Sequence, residues 1–175
     1  MTVAHGWTNF FYLVGSASAG LIGLLFVVVT LTSGSDPKRA RHGAALYVTP
    51  SVVHFASVFT ISAITMAPGL NAQWAGIAIG LFALGGLACA LRASIGIRRS
   101  GKVGERPHWS DFWLYGGLPV ALYMALIVTS AGFCTSASWA VLALAALLLV
   151  LLLVGIRNAW DTVSWIAPRR PERND

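Results

Sequence analysis

Apolar residues fill five long blocks of this chain, and polar and charged residues are confined to short stretches between them. Within a block the apolar side chains follow neither a two-residue nor a clean 3.6-residue alternation. A helix that is apolar all round faces lipid or a deep core on every side. The blocks run over residues 7–31, 44–67, 74–97, 112–131 and 139–167. The last organises the chain, because Trp139 to Ile156 is unbroken and flows straight into Arg157-Asn158-Ala159-Trp160-Asp161 and on to Trp165. At 1.5 Å per residue, an apolar helix of this length crosses a hydrocarbon core of roughly 30 Å. The pattern predicts an all-α fold: one integral membrane bundle of five transmembrane helices spanning residues 1–175.

The breaks between blocks alternate in character. Ser33 to Arg41 carries three cations, and Arg98 to Asp111 carries Arg98, Arg99, Lys102 and Arg106, whereas Leu70 to Gln73 and Gly132 to Ser138 carry no charge. With the N-terminus outside, all twelve Lys and Arg residues and all six acids fall on one face. That is the positive-inside bias, and merging or dropping any block would put whole cation clusters on the outer face. An N-out, C-in topology follows. Pro68-Gly69 stops the second block, and Ser110 or Asp111 is placed to cap the fourth.

Composition agrees. The chain is 57% hydrophobic and 10% charged, against roughly 25% charged for soluble domains. Its formal charge of +6 sits in short clusters beside apolar blocks, so it marks loops and does not suggest a nucleic-acid surface. Met1 to Gly6 has no lysine or arginine, which argues against a cleaved secretory signal.

Two hairpins share flanking residues. Pro50 corresponds to Pro119, Trp74-Ala75 to Trp139-Ala140, and Arg92 to Arg157, with eighteen residues from each Trp to its Arg. This matches a parallel repeat of helices 2-3 and 4-5, of the sort found in transporter folds. Common flanking needs of membrane helices would produce the same matches. The first helix then stands apart. It carries Gly15, Ala19 and Gly23 at four-residue spacing, with Ser16 and Gly20 beside them. Small residues so spaced let two helix backbones approach, either within the bundle or against another subunit.

The second block holds a polar stripe. Tyr47, Ser51, His54, Val58, Ser62 and Thr65 recur at three- and four-residue steps, so they share one helix face. Polar residues inside a membrane turn toward protein or water. His54 is the only histidine able to lie at membrane depth, and its place depends on whether the helix starts at Pro50 or runs through it from Ala44. It is a candidate for a relay or gate; the simpler alternative is a neutral ring bonded to a neighbouring hydroxyl or carbonyl. The foot of the fifth block, Arg157, Asn158 and Asp161, forms the other polar group. Arg157 and Asp161 are four apart and able to pair, and Asp161 could instead meet Arg92. These residues either anchor the helix at the interface or line a polar mouth.

Val154-Gly155-Ile156-Arg157-Asn158-Ala159-Trp160-Asp161 and Thr49-Pro50-Ser51-Val52-Val53-His54-Phe55 resemble recurring signatures of a group of small, uncharacterised bacterial multi-pass membrane proteins with a C-terminal RNAWD-like motif. The resemblance implies a bacterial inner membrane and draws attention to His54, Arg157, Asn158 and Asp161. It brings no activity.

Sequence signatures of enzymes are missing: there is no GxGxxG, Walker loop, GxSxG, HExxH or CxxC. No enzyme activity, metal or cofactor is expected. His42, His108 and Asp111 match no zinc spacing, and a haem held by two histidines would need a second one beside His54. Cys89 lies well into a span and Cys134 at the outer surface, so the two should not bridge. Two functions fit. One is a homo-oligomeric channel or small transporter whose polar path is lined by Ser51, His54, Ser62, Thr65, Arg92, Arg157, Asn158 and Asp161. The other is a non-catalytic accessory subunit that docks on a larger membrane complex through its first helix.

Overall fold

The computed structural model describes residues 6–32, 49–100 and 113–166. These form five α-helices: α1 (Thr8–Thr32), α2 (Thr49–Met66), α3 (Ala72–Ser100), α4 (Leu118–Cys134) and α5 (Ala140–Ile166). A single π-helical turn, Trp113–Gly117, leads into α4. No strand occurs among the described residues. Three helices are long and apolar enough to cross a membrane, over Thr8–Thr30, Ala72–Gly96 and Ala140–Asp161. The protein is therefore a membrane protein. Pro50–Met66 and Leu118–Cys134 are shorter apolar helices, α4 with 17 residues being about 26 Å long.

All five elements lie where the apolar blocks predict them, with ends moved by a few residues. Local chemistry sets those ends. Asn71 accepts a hydrogen bond from the Trp74 backbone N–H at 2.9 Å, which caps α3 and starts it ahead of the tryptophan. Gly69, at φ +75°, makes the turn after α2 in a conformation that suits glycine. At the other hairpin Thr135 and Ser136 donate backbone N–H groups to Ala131 and Phe133, so α4 continues to Cys134. The expected caps Ser110 and Asp111, residue Tyr47, and the start of α2 at Ala44 lie outside the described residues.

Helices α2, α3, α4 and α5 close into a ring in which each packs on its sequence neighbour and α5 returns to α2; α1 lies outside against α2 and α5. The core is formed by Phe11, Phe55, Val58, Ile61, Ile79, Tyr123, Leu126, Leu144, Leu148 and Leu151, each fully buried. Large apolar side chains also cover the outside, among them Tyr12, Leu13, Leu24, Phe26, Leu81 and Leu142. That outer coat suits lipid and would be costly in water. Trp139, immediately before α5, and Trp160, on it, are both exposed and stand about 32 Å apart along the helix direction, the spacing of the two headgroup layers.

Glycines permit the closest approaches. A β-carbon on Gly86 of α3 would collide with the Tyr123 ring, one on Gly155 of α5 with the Phe55 ring, and one on Gly76 with Ser130 and Cys134. On α1 the small residues divide. Gly15 is buried, and a β-carbon there would come within 3.0 Å of Ser62 Cβ, whereas Ser16, Ala19, Gly20 and Gly23 are exposed. The sequence places all five on one broad face. Packing on α2 takes only the Gly15 edge, because Val14, Ser18 and Leu25 complete the buried stripe.

Candidate functional site

The stripe read on α2 is turned into the bundle. Ser51, His54, Val58, Ser62 and Thr65 are all buried, and Ser57 and Ile61 lie beside them. Their spacing leaves one edge of α2 facing inward along its whole described length. Opposite His54, on α4, stands Tyr123, held with its ring against the glycine gap at Gly86.

Three side chains join there. Tyr123 Oη lies 3.0 Å from His54 Nδ1 and 3.1 Å from Ser57 Oγ, and the imidazole and phenol rings are tilted at 41° with centroids 5.7 Å apart. His54 is 2% exposed and Tyr123 0%. Hydrogen bonds between buried side chains on different helices are strongly localising, since a lost partner leaves a polar atom in an apolar interior. His54 Nε2 and Ser62 Oγ are buried without a hydrogen-bond partner among the described residues.

Other buried hydroxyls are engaged locally. Thr65 Oγ1 donates to the Ser62 carbonyl at 2.7 Å, Thr129 to Ala125 at 2.8 Å and Ser130 to Ile127 at 2.7 Å, all within their own helices. Ser18 crosses from α1 and donates to the Phe55 carbonyl at 2.7 Å. That bond fixes α1 beside the His54 turn.

The foot of α5 is split by helix rotation. Asn158 is fully buried and faces the bundle, whereas Arg157 Nη2 and Asp161 Oδ2 approach to 3.7 Å on the surface, with side chains 51% and 38% exposed. Arg92 on α3 is exposed as well. Of the eight polar-path candidates, the structure therefore gathers Ser51, His54, Ser62, Thr65 and Asn158 inside and leaves Arg92, Arg157 and Asp161 at or near the surface.

Tyr123 and Ser57 are missing from the sequence reading. Tyr123 sits in an apolar run with no polar neighbour, and Ser57 lies one residue off the chosen spacing. One signal was present: Tyr123 follows Pro119 by four residues, as His54 follows Pro50.

Cys89 and Cys134 are both free thiols. Cys134 Sγ donates to the Gln73 carbonyl at 3.7 Å and so links the two uncharged turns. No group of three or more His, Cys, Asp or Glu side chains converges among the described residues. Comparison with protein-family models, with curated proteins and with solved structures gave no match. Function has to be argued from the bundle itself.

Proposed function

We propose that this chain is a small multi-pass channel or transporter of the bacterial inner membrane, with five spans, the N-terminus outside and the C-terminus inside. The observation that carries this reading is the buried polar edge of α2, crossing toward Tyr123 on α4 and flanked by Asn158 on α5. Membrane helices bury polar side chains where they bind, pass or relay something, since aliphatic residues would pack as well without them. In this reading the path runs through the interior of one chain. Arg92, Arg157 and Asp161 shape the potential at its cytoplasmic mouth, where the positive-inside bias puts them. The two hairpins α2-α3 and α4-α5 act as repeats about an axis along the membrane normal, with His54 and Tyr123 facing each other across it.

The exposed stripe Ser16, Ala19, Gly20 and Gly23 on α1 supports a contact outside the chain, since β-carbons on Gly20 and Gly23 would meet nothing within 4 Å. In the channel reading that contact is a second copy. The same stripe supports the other reading, an accessory subunit docked on a larger membrane complex. Purification in mild detergent with native mass measurement separates the two: a closed homo-oligomer favours the channel, and co-purification with a larger assembly favours the accessory role. Reconstitution into liposomes with tracers for protons, alkali cations, chloride and small neutral solutes tests transport directly. Absence of any protein-dependent flux would remove the channel reading.

A further inference from the structure

We propose that the foot of α5 binds the headgroup of phosphatidylethanolamine, with the lipid phosphate at Arg157 and its ammonium at Asp161. The two residues share a lipid-facing side of the helix. Leu149, Leu153, Ile156 and Trp160 are exposed on one side of α5, and Arg157 and Asp161 carry that side onward past the apolar run, whereas Leu148, Leu151 and Asn158 are buried on the other. The exposed side is a strip of hydrocarbon ending in an indole and an ion pair. That is the order of chemistries a phospholipid presents from its chains to its headgroup.

The charges stand in the order the headgroup requires. Asp161 lies one turn, about 6 Å, beyond Arg157 toward the end of the helix, so the cation is nearer the apolar run and the carboxylate nearer water. In a bilayer the phosphate lies deeper than the ammonium at the tip of ethanolamine. Each charge of the lipid therefore meets its opposite on α5, in whichever leaflet receives this end of the helix. A glycerol headgroup would leave the carboxylate beside a net negative lipid, and a choline headgroup has no N–H to donate to it.

The pair is also open to an outside partner. Arg157 Nη2 and Asp161 Oδ2 are 3.7 Å apart, wider than a charge-assisted hydrogen bond, and both side chains keep accessible surface. Arg92 supplies an internal comparison. It is exposed on α3 at the same eighteen-residue distance from Trp74 as Arg157 is from Trp139, but Gly96 occupies the position one turn further on. Arg92 can therefore meet a phosphate without selecting an amine. Binding of this kind is independent of whether the bundle transports anything.

The test titrates purified full-length protein in detergent with dioleoyl phosphatidylethanolamine, phosphatidylcholine or phosphatidylglycerol and counts bound lipid by native mass spectrometry. Phosphatidylethanolamine should bind about fivefold more tightly than the other two, the upper end for an exposed charge pair. Asp161→Asn should abolish that preference and leave phosphatidylcholine binding unchanged, Arg157→Gln should weaken all three lipids, and Arg92→Gln should leave the preference intact. Arg157→Asp combined with Asp161→Arg keeps both charges but inverts their order, and should also abolish the preference. The comparison among lipids on the unmodified chain needs no variant to fold. Equal binding of the three lipids, or tightest binding of phosphatidylglycerol, overturns the proposal, as does a preference for phosphatidylethanolamine that survives in both Asp161→Asn and the inverted pair.

Discussion

The ring of Tyr123 occupies the space that a side chain on Gly86 would need, so one helix-to-helix approach positions the hydroxyl that meets His54. Substituting Gly86→Ala forces the ring or the α3 backbone to move. Overpacking of this kind costs about 1–3 kcal/mol. Gly85→Ala is the control, since a β-carbon there meets nothing within 4 Å. Thermal unfolding in detergent, followed by circular dichroism, should show Gly86→Ala melting well below the parent and Gly85→Ala melting with it.

Ser18→Ala removes the hydrogen bond from α1 to the Phe55 carbonyl. That carbonyl belongs to a helix, so it keeps its place in the backbone ladder, and interhelical hydrogen bonds in membranes average only about 0.6 kcal/mol. A loss of about that size is expected in a denaturant titration. A loss several times larger would mean that the hydroxyl holds more than the α1-α2 contact.

Gly15→Leu and Gly20→Leu should separate folding from assembly. The first drives a side chain into Ser62 and should unseat α1 from the bundle; the second projects into open space and should leave the monomer intact. If the exposed stripe is a subunit contact, native mass spectrometry will find Gly20→Leu folded but dissociated. An unchanged oligomer would place the contact elsewhere.

Asp161→Asn should barely alter stability. Its pair with Arg157 is an exposed four-residue contact at 3.7 Å, and such pairs on helices contribute about 0.3–0.5 kcal/mol. A change in flux without a change in melting would identify the foot as part of the cytoplasmic mouth.

Cysteine labelling checks the topology. An impermeant maleimide applied from the periplasm should react with Cys134, which is exposed beside the α4-α5 turn. A cysteine introduced at Ser100 should react only from the cytoplasmic side. Labelling of both from one side would overturn the N-out, C-in arrangement.

How much of this was legible in the sequence follows from what membrane helices need. The helices themselves were plain, because long uncharged runs and charged breaks carry the signal without tertiary information. The inward turn of the α2 stripe was legible too, since Ser51, His54, Ser62 and Thr65 share a face by spacing alone. Helix rotation was not. Gly15 and Gly20 look alike in sequence, and only the packing of α1 on α2 buries one and exposes the other. The partner of His54 was hidden for a similar reason: contacts between α2 and α4 depend on how the ring of helices closes.

His54 and Tyr123 stand at matching places, each four residues past a proline, and are 69 residues apart. Were the two hairpins identical subunits of a dimer, symmetry would oblige the axis to carry two imidazoles or two phenols. If the two hairpins are repeats, as proposed above, joining them in one polypeptide releases them from that obligation and lets them diverge at the position where His54 meets Tyr123. Under that proposal, an imidazole facing a phenol across the axis is something that covalent linkage allows and a two-fold homodimer forbids.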